Sequence, residues 1–197
     1  YGLKEEEHVT EDLSLVPISA YNKTKMVAER VFLSYQDYIK VHCIRPATVC
    51  GYSPRMRLDL SVNMLTMQAL VNKKITVFGG KQTRPNINIH DMVGVYKHFL
   101  LNKQIESGTY NAGFENISIM DIAKRVNKKI ESEIIITESN DPRSYRQNSD
   151  KLIKTGFVQR FSVSDAIEEL IAKFNNKELE DKEDFYTIKM MKKILSK

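Results

Sequence analysis

The chain has 197 residues, too many for a disulfide-stapled miniprotein and about right for one large domain or two small ones. Hydrophobic residues make up 42% and charged residues 28%, an ordinary globular composition that argues against disorder throughout. The net charge of +5 comes from 30 Lys+Arg against 25 Asp+Glu, without the clustering typical of nucleic-acid binding. No apolar run approaches the ~20 residues that span a bilayer. We therefore expect a cytoplasmic protein with neither nucleic acid nor membrane as a partner.

Apolar spacing, capping residues and glycine turns predict an alternation of helices and strands along the chain. The predicted helices are, in chain order, one starting at Ser19, 60–70, 90–101, 118–129, and one from Ser162 or Ser164 to about Phe174. The predicted strands are 41–45, 75–78, 87–89, 109–112 and 133–137. Residues 46–54 are predicted to form a loop, and the charged stretch after Asn176 either a surface helix or a partly mobile end. The alternation indicates an α/β protein.

Several conspicuous side chains are predicted to be structural. Apolar residues at helical spacing predict a buried stripe on the first helix, formed by Met26, Val27, Ala28, Val31 and Phe32. Cys43 and Cys50 lack a C-x-x-C spacing and lie in an apolar-rich segment, which favours reduced, buried thiols. The four histidines share no ligand-like spacing with the cysteines, so we predict no metal site.

Tyr21 and Lys25 form the strongest local motif. Positions four apart lie on one face of a helix, so the two side chains are expected to project together. A phenol, with a pKa near ~10, is a poor acid–base group at neutral pH, and a fixed ammonium one turn away favours the phenolate. The pair is therefore suited to exchanging a proton at a hydroxyl or ketone. An isolated Y-x-x-x-K also occurs by chance, and then both residues belong to a solvated helix.

Further motifs surround this pair in a characteristic order. They are Tyr1-Gly2; Thr10-Glu11-Asp12 with Pro17-Ile18-Ser19-Ala20-Tyr21; Arg45-Pro46-Ala47-Thr48-Val49-Cys50-Gly51; Val77-Phe78-Gly79-Gly80 through Arg84, then Ile89-His90-Asp91; and Asp141-Pro142-Arg143-Ser144-Tyr145 with Ser149-Asp150-Lys151-Leu152 and Thr155-Gly156-Phe157. As far as about Phe174, the chain resembles the later part of an extended short-chain dehydrogenase/reductase, in the NAD-dependent epimerase/dehydratase branch that acts on nucleotide sugars.

The resemblance implies a cofactor side of the site formed by Tyr21, Lys25 and Ala47. Tyr21 would be the acid/base, and Lys25 its partner and a ligand of the nicotinamide ribose. Ala47 would lie against the nicotinamide through its backbone. The implied cofactor is NAD, with NADP possible.

The resemblance also implies a nucleotide-sugar substrate with its own set of residues. Thr48 would lie near the sugar, and Asn63 would contact the nucleotide phosphates. Arg84 and Arg143 would clamp the diphosphate, a role that suits the planar fork of a guanidinium, although ordinary surface ion pairing is the alternative. Tyr145 would contact the sugar or nucleotide, or merely pack.

Two parts of the family pattern do not occur in this sequence. There is no G-x-x-G-x-x-G after a strand, and the catalytic Ser or Thr and the carboxylates that distinguish dehydratases would fall just before Tyr1. We therefore expect residues 1–176 to be the C-terminal portion of a longer enzyme, followed by a charged tail at 177–197. The expected fold is the later part of a doubly wound, Rossmann-type α/β domain with a small α/β substrate-binding subdomain. Its N-terminal dinucleotide-binding half would be supplied in cis.

The leading functional hypothesis is NAD(P)-dependent modification of a nucleotide-activated sugar, of the epimerase type. Tyr21 would exchange the hydroxyl proton while a transient ketone forms. The alternatives of the same class are a nucleotide-sugar dehydrogenase/reductase and a 4,6-dehydratase. An alternative of another class is a catalytically silent dinucleotide-binding or assembly protein. The resemblance further implies a homodimer, and we expect the fragment alone to be inactive, with exposed apolar faces.

Overall fold

The computed structural model describes residues 1–2, 6–139 and 144–196. The helices are α1 (Ala20–Leu33), α2 (Ser61–Asn72), α3 (Ile89–Leu101), α4 (Ile119–Lys129), α5 (Asp150–Lys154), α6 (Val163–Asn175) and α7 (Thr187–Leu195). The strands are β1 (His42–Pro46), β2 (Thr48–Cys50), β3 (Lys74–Phe78), β4 (Thr83–Asn88), β5 (Gly108–Ala112), β6 (Glu115–Ser118) and β7 (Glu133–Thr137). The predicted α/β alternation is confirmed.

The described strands form three small sheets. In the first, β1 runs parallel to β5, and Pro46 lies opposite Ala112 at its carboxyl end. The second has β4 at its centre, parallel to β2 and antiparallel to β6. In the third, β3 runs parallel to β7. Parallel strands need a crossover connection, and the helices α2, α3 and α4 lie in the segments that connect them.

The apolar core has three parts. The largest lies between α2, α4, α6 and β3, and includes Leu65, Ile75 and Ile167. A second lies under α3, against β1 and β5. A third is centred on Met56 and Leu58, and includes Leu179 from the predicted charged tail, at 2% exposure. Burial of large apolar side chains at these places is the main stabilising contribution to the fold.

The prediction of a loop over 46–54 was wrong in its middle, where β2 forms. The segment Thr48–Cys50 pairs in parallel with Asn86–Asn88, so Val49 and Cys50 belong to a short strand and not to a loop. The predicted strand at 87–89 is the end of the longer β4. Pro85, which cannot donate a ladder hydrogen bond, and the polar Asn86 and Asn88 hide the strand pattern. The short β6 and α5 were not predicted, and of the two alternatives for the tail, a helix is found over α7.

The predicted buried stripe on α1 was also wrong. None of the fourteen residues of α1, all of which the structure describes, is buried. Val27, Val31 and Phe32 are 54%, 52% and 60% exposed. The helix contacts β1, at the edge of a two-stranded sheet, and so narrow a sheet covers one line of side chains rather than a broad stripe. The apolar spacing identified an apolar face, but only Met26 and Ala28 of its five residues are even partly buried.

A capping box at the start of α6 should make stability depend on pH. Ser162 Oγ accepts a hydrogen bond from the Asp165 N–H at 3.2 Å, and Asp165 Oδ2 accepts from the Ser162 N–H at 2.7 Å. The hydrogen bonds with Ser162 hold the pKa of Asp165 below its usual 3.8. The folded state therefore favours the ionised carboxylate. Its stabilising contribution is complete above the unfolded pKa and is lost as the pH falls through the folded one.

We expect Asp165→Ala to cost about 1 kcal/mol in the free energy of unfolding at neutral pH. The difference from the wild type should be smaller at pH 3 than at pH 7, because the stabilisation declines once the pH falls below the unfolded pKa toward the lower folded one. Urea denaturation at the two pH values measures it. The exposed Asp37, in the turn after α1, supplies the control Asp37→Ala. An Asp165→Ala deficit that persists undiminished at low pH would contradict this account.

Candidate active site

The start of α1 presents Tyr21 and Lys25 together. Ser19 caps the helix, its Oγ accepting from the Asn22 N–H at 3.1 Å, which fixes where the first turn begins. Lys25 Nζ lies 5.3 Å from the centre of the Tyr21 ring, within cation–π range. The Tyr21 side chain is 68% exposed. The prediction that the two side chains project together is confirmed, and the phenol is accessible to a ligand.

Ala47 and Thr48 form the junction between two sheets. The Ala47 N–H donates to the Ala112 carbonyl at 2.8 Å, and Thr48 begins β2 opposite Asn86. This junction lies at the carboxyl ends of the parallel strands β1 and β5, where open α/β sheets bind their ligands. A Cβ atom on Gly113 would come within 2.6 Å of Ala47 Cβ and 2.4 Å of Gln147 Oε1. The close approach of these chain segments therefore requires glycine at position 113.

Asn63 makes hydrogen bonds within the protein. Its side chain is 3% exposed, and its Oδ1 accepts from the Gly51 N–H at 3.0 Å. Its Nδ2 donates to the Arg57 carbonyl at 3.0 Å. The amide thus ties α2 to the loop that follows β2. A contact of Asn63 with phosphates remains a prediction.

Arg84 and Tyr145 come together although they are distant in the sequence. The Arg84 guanidinium carbon lies 5.7 Å from the centre of the Tyr145 ring. Arg84 Nη1 and the Tyr145 N–H both donate to the Thr83 carbonyl, at 3.1 Å and 3.3 Å. Arg143, the other predicted diphosphate ligand, lies outside the described residues.

The structure has a groove of about 530 Å³ whose lining includes Thr83 and Arg146, the sequence neighbours of Arg84 and Tyr145. It is lined by Thr83, Asn116, Ile117, Ser118, Asp121, Arg125, Lys128 and Arg146. Its charged lining is mainly cationic, although Arg125 also pairs with Glu115 at 2.7 Å. Among the described residues, no hydrogen bond, ion pair or ring contact joins Tyr21 or Lys25 to the predicted substrate residues.

A cluster of polar side chains around Arg45 went unrecognised in the sequence. Arg45 binds Glu29 through two hydrogen bonds, Nε to Oε2 at 2.8 Å and Nη2 to Oε1 at 2.6 Å. Its Nη1 donates to the Tyr1 hydroxyl at 2.6 Å, and that hydroxyl donates to Asn111 Oδ1 at 2.6 Å. Gln147 Nε2 donates to the Arg45 carbonyl at 2.8 Å and to Asn111 Oδ1 at 3.1 Å. The signal in the sequence for this cluster was that Arg45 begins the motif that continues through Ala47 to Gly51.

Burial and hydrogen bonding fix the protonation of this cluster. Burial raises the pKa of Tyr1 by more than the hydrogen bonds with Arg45 and Asn111 lower it, so its hydroxyl stays neutral and can donate. Burial alone would lower the pKa of Arg45, but the hydrogen bonds with Glu29 and Tyr1 raise it above its usual value. Arg45 is therefore a permanent cation facing a carboxylate.

The two cysteines are free thiols, as predicted. Cys50 is 1% exposed, and burial raises its pKa to about 12. Cys43 is only partly buried, so the prediction of a buried thiol was wrong at this position. The described residues contain no group of three or more His, Cys, Asp or Glu side chains placed to hold a metal ion. Within the described ranges, every helix is too short or too polar to cross a membrane.

Comparison with known proteins identifies the family of this chain and agrees with its fold. The sequence model of the NAD dependent epimerase/dehydratase family matches residues 1–113, more than half of the chain. The chain belongs to the NAD-dependent epimerase/dehydratase family. It is 30% identical over 128 residues to an uncharacterized UDP-glucose epimerase, YtcB, of Bacillus subtilis (strain 168). The match covers 64% of this chain and 40% of that protein.

Two further relatives have more specific names. A UDP-glucose 4-epimerase of Lactobacillus helveticus is 27% identical over 151 residues, covering 64% of this chain and 45% of that one. The structure of UDP-glucuronic acid 4-epimerase from Bacillus cereus, in complex with UDP-glucuronic acid and NAD, superposes with a TM-score of 0.76 at 28% identity. That match covers 90% of this chain and 59% of the other. The chain thus spans between two fifths and three fifths of the length of these relatives, and the Rossmann-type fold class is confirmed.

Proposed function

We propose that the protein containing these residues is an NAD(P)-dependent enzyme that epimerises a nucleotide-activated sugar. The single observation that carries the proposal is the exposed Tyr21 ring with the Lys25 ammonium 5.3 Å from its centre, at the capped start of α1. Family membership supports it, because relatives bear the names UDP-glucose 4-epimerase and UDP-glucuronic acid 4-epimerase. The tyrosine supplies an acid/base group, and the lysine supplies a fixed positive charge beside it.

The residues present fit a nicotinamide dinucleotide. Ala47 leaves the carboxyl end of β1, the edge at which parallel sheets bind ligands, and Lys25 offers an ammonium donor to ribose hydroxyls. A dinucleotide held by these two residues would supply the hydride acceptor for the sugar carbon and the hydride donor for the return step. Tyr21 removes the proton of the sugar hydroxyl as that carbon is oxidised and returns the proton when the carbonyl is reduced.

Substrate binding is assigned in this proposal to Thr48, Asn63, Arg84, Arg143 and Tyr145. The Arg84–Tyr145 contact supports this part, because it holds a guanidinium fork and an aromatic ring side by side. A guanidinium binds phosphate oxygens through paired hydrogen bonds, and a tyrosine ring offers a flat apolar surface to a sugar or base. The groove that Thr83 and Arg146 line, each next to one of these residues in the sequence, adds positive charge that attracts a diphosphate.

The experiment uses the whole protein with a panel of UDP-, dTDP- and ADP-sugars and either NAD or NADP. Proton NMR of the products is expected to reveal interconversion of two epimers, with no net change in nicotinamide absorbance. Net oxidation or reduction would favour the dehydrogenase/reductase alternative, and loss of water the 4,6-dehydratase. Dinucleotide binding by calorimetry without turnover of any sugar would favour the catalytically silent protein and contradict the proposal. Sedimentation of the same sample tests the implied homodimer.

A further inference from the structure

Helix α1 is held to the protein by few strong contacts. None of its described residues is buried, yet it carries both Tyr21 and Lys25. Its principal polar tie is the paired hydrogen bonding of Glu29 with Arg45, whose side chains are 15% and 17% exposed. Glu29 follows Lys25 by four residues and Tyr21 by eight, so the three lie along one side of the helix. Holding Glu29 therefore sets how far α1 is rotated about its axis.

Arg45 transmits this constraint to the strand that leads to Ala47. Four of its five N–H donors are used, two on Glu29, one on the Tyr1 hydroxyl and one on the Glu11 carbonyl. The Tyr1 ring lies 4.7 Å from the guanidinium carbon. A side chain bound on so many sides has a single orientation, and a lysine could not reproduce it because its ammonium lacks the planar fork.

Gln147 extends the cluster to the segment that carries Tyr145. Its Nε2 binds the Arg45 carbonyl and Asn111 Oδ1. Its backbone N–H donates to Asn116 Oδ1 at 2.9 Å, and Asn116 Nδ2 donates back to the Gln147 carbonyl at 3.1 Å. Gln147 is 8% exposed, so these hydrogen bonds are shielded from competing water.

We infer that Glu29, Arg45 and Gln147 are positioning residues, which hold the Tyr21 helix, the Ala47 junction and the Tyr145 segment in one fixed arrangement. The inference rests on the proposed function, since it assigns these three parts to proton transfer, cofactor and substrate. A proton acceptor displaced by about 1 Å loses on the order of 10²-fold in rate, so an arrangement of this kind matters for kcat. Binding of the nucleotide, which uses other side chains, depends on it less.

The test compares Glu29→Gln and Arg45→Lys with the wild type of the whole protein. Each variant preserves the approximate size of the side chain but breaks the paired, charged hydrogen bonding. Each is expected to lower kcat by about 10²-fold while KM for the nucleotide sugar stays near its original value. The double variant should lose little more than either single one, because both remove the same interaction. Gln147→Met, which preserves volume, should also lower kcat.

Two controls separate positioning from stability. Glu168→Gln breaks the exposed ion pair with Lys129, whose partners are 54% and 48% exposed, and should leave kcat unchanged. Leu65→Ala lowers stability through the core, and its folded fraction should turn over normally. If Glu29→Gln and Arg45→Lys lower the melting temperature but leave kcat intact, or raise KM alone, the inference is overturned.

Failure of the proposed function has a different outcome. In that case the wild type itself turns over no nucleotide sugar, and hydrogen exchange then decides the inference. Glu29→Gln and Gln147→Met are expected to speed exchange at the amides of α1, whereas Glu168→Gln is not. Unchanged exchange across α1 in both variants would overturn the positioning role.

Discussion

Replacing Tyr21 with phenylalanine is expected to lower kcat of the whole protein by about 10²–10⁴-fold, the usual loss when a positioned acid/base group is removed. The change deletes one hydroxyl from an exposed side chain at the start of α1, so neither the cap at Ser19 nor the core is disturbed. The ring stays beside Lys25. Affinity for the nucleotide sugar, measured by calorimetry, should therefore change little while turnover is nearly lost.

The matched control is Tyr35→Phe, because Tyr35 is 54% exposed just beyond the end of the same helix. It should leave both kcat and affinity unchanged. Steady-state kinetics on the sugar found in the panel, with product detection by NMR, measures both variants. Turnover within a few-fold of the wild type in Tyr21→Phe would remove Tyr21 from the mechanism, and the assignment of Lys25 as its partner would go with it.

The predictable part of the site is local in the sequence. Tyr21 and Lys25 come together because a helix places residues four apart on one face, and the Ser19 cap that starts this helix is visible in the sequence. Likewise, the caps at Ser118 and Ser162 locate the starts of α4 and α6. Such features depend on backbone geometry within one or two turns, and the residues that determine them are adjacent in the chain.

The unpredicted part depends on contacts between distant residues. Arg45 meets Glu29 across 16 positions, and Gln147 meets the Arg45 carbonyl across 102. The spacing of residues within one segment does not specify which distant side chain it will contact in the folded chain. The same limit explains the apolar face of α1, since spacing identifies its residues but not the surface that would cover Val27 or Phe32. Roles for Asn63 and Tyr145 came from the resemblance alone.

Truncating Leu65 to alanine is expected to destabilise the fold by about 2–5 kcal/mol, the range measured for large-to-small changes in a packed core. Leu65 is 0% exposed in α2 and belongs to the cluster that joins this helix to α4, α6 and β3. The loss combines the removed apolar burial with a cavity that the surrounding helices fill only in part. The midpoint of urea denaturation, followed by circular dichroism, should fall with little change in its slope.

Val71→Ala on the same helix is the control for this substitution. Val71 is 46% exposed, so its shortening should change the free energy of unfolding by less than about 0.5 kcal/mol. A comparable loss in both variants would mean that α2 is destabilised as a helix rather than through its packing. A loss below about 1 kcal/mol in Leu65→Ala would contradict the described core, because truncating a fully buried leucine in a well-packed site lowers the free energy of unfolding by more than this. The large effect at Leu65 and the small one at Val71 together test the packing of α2 against α4 and α6.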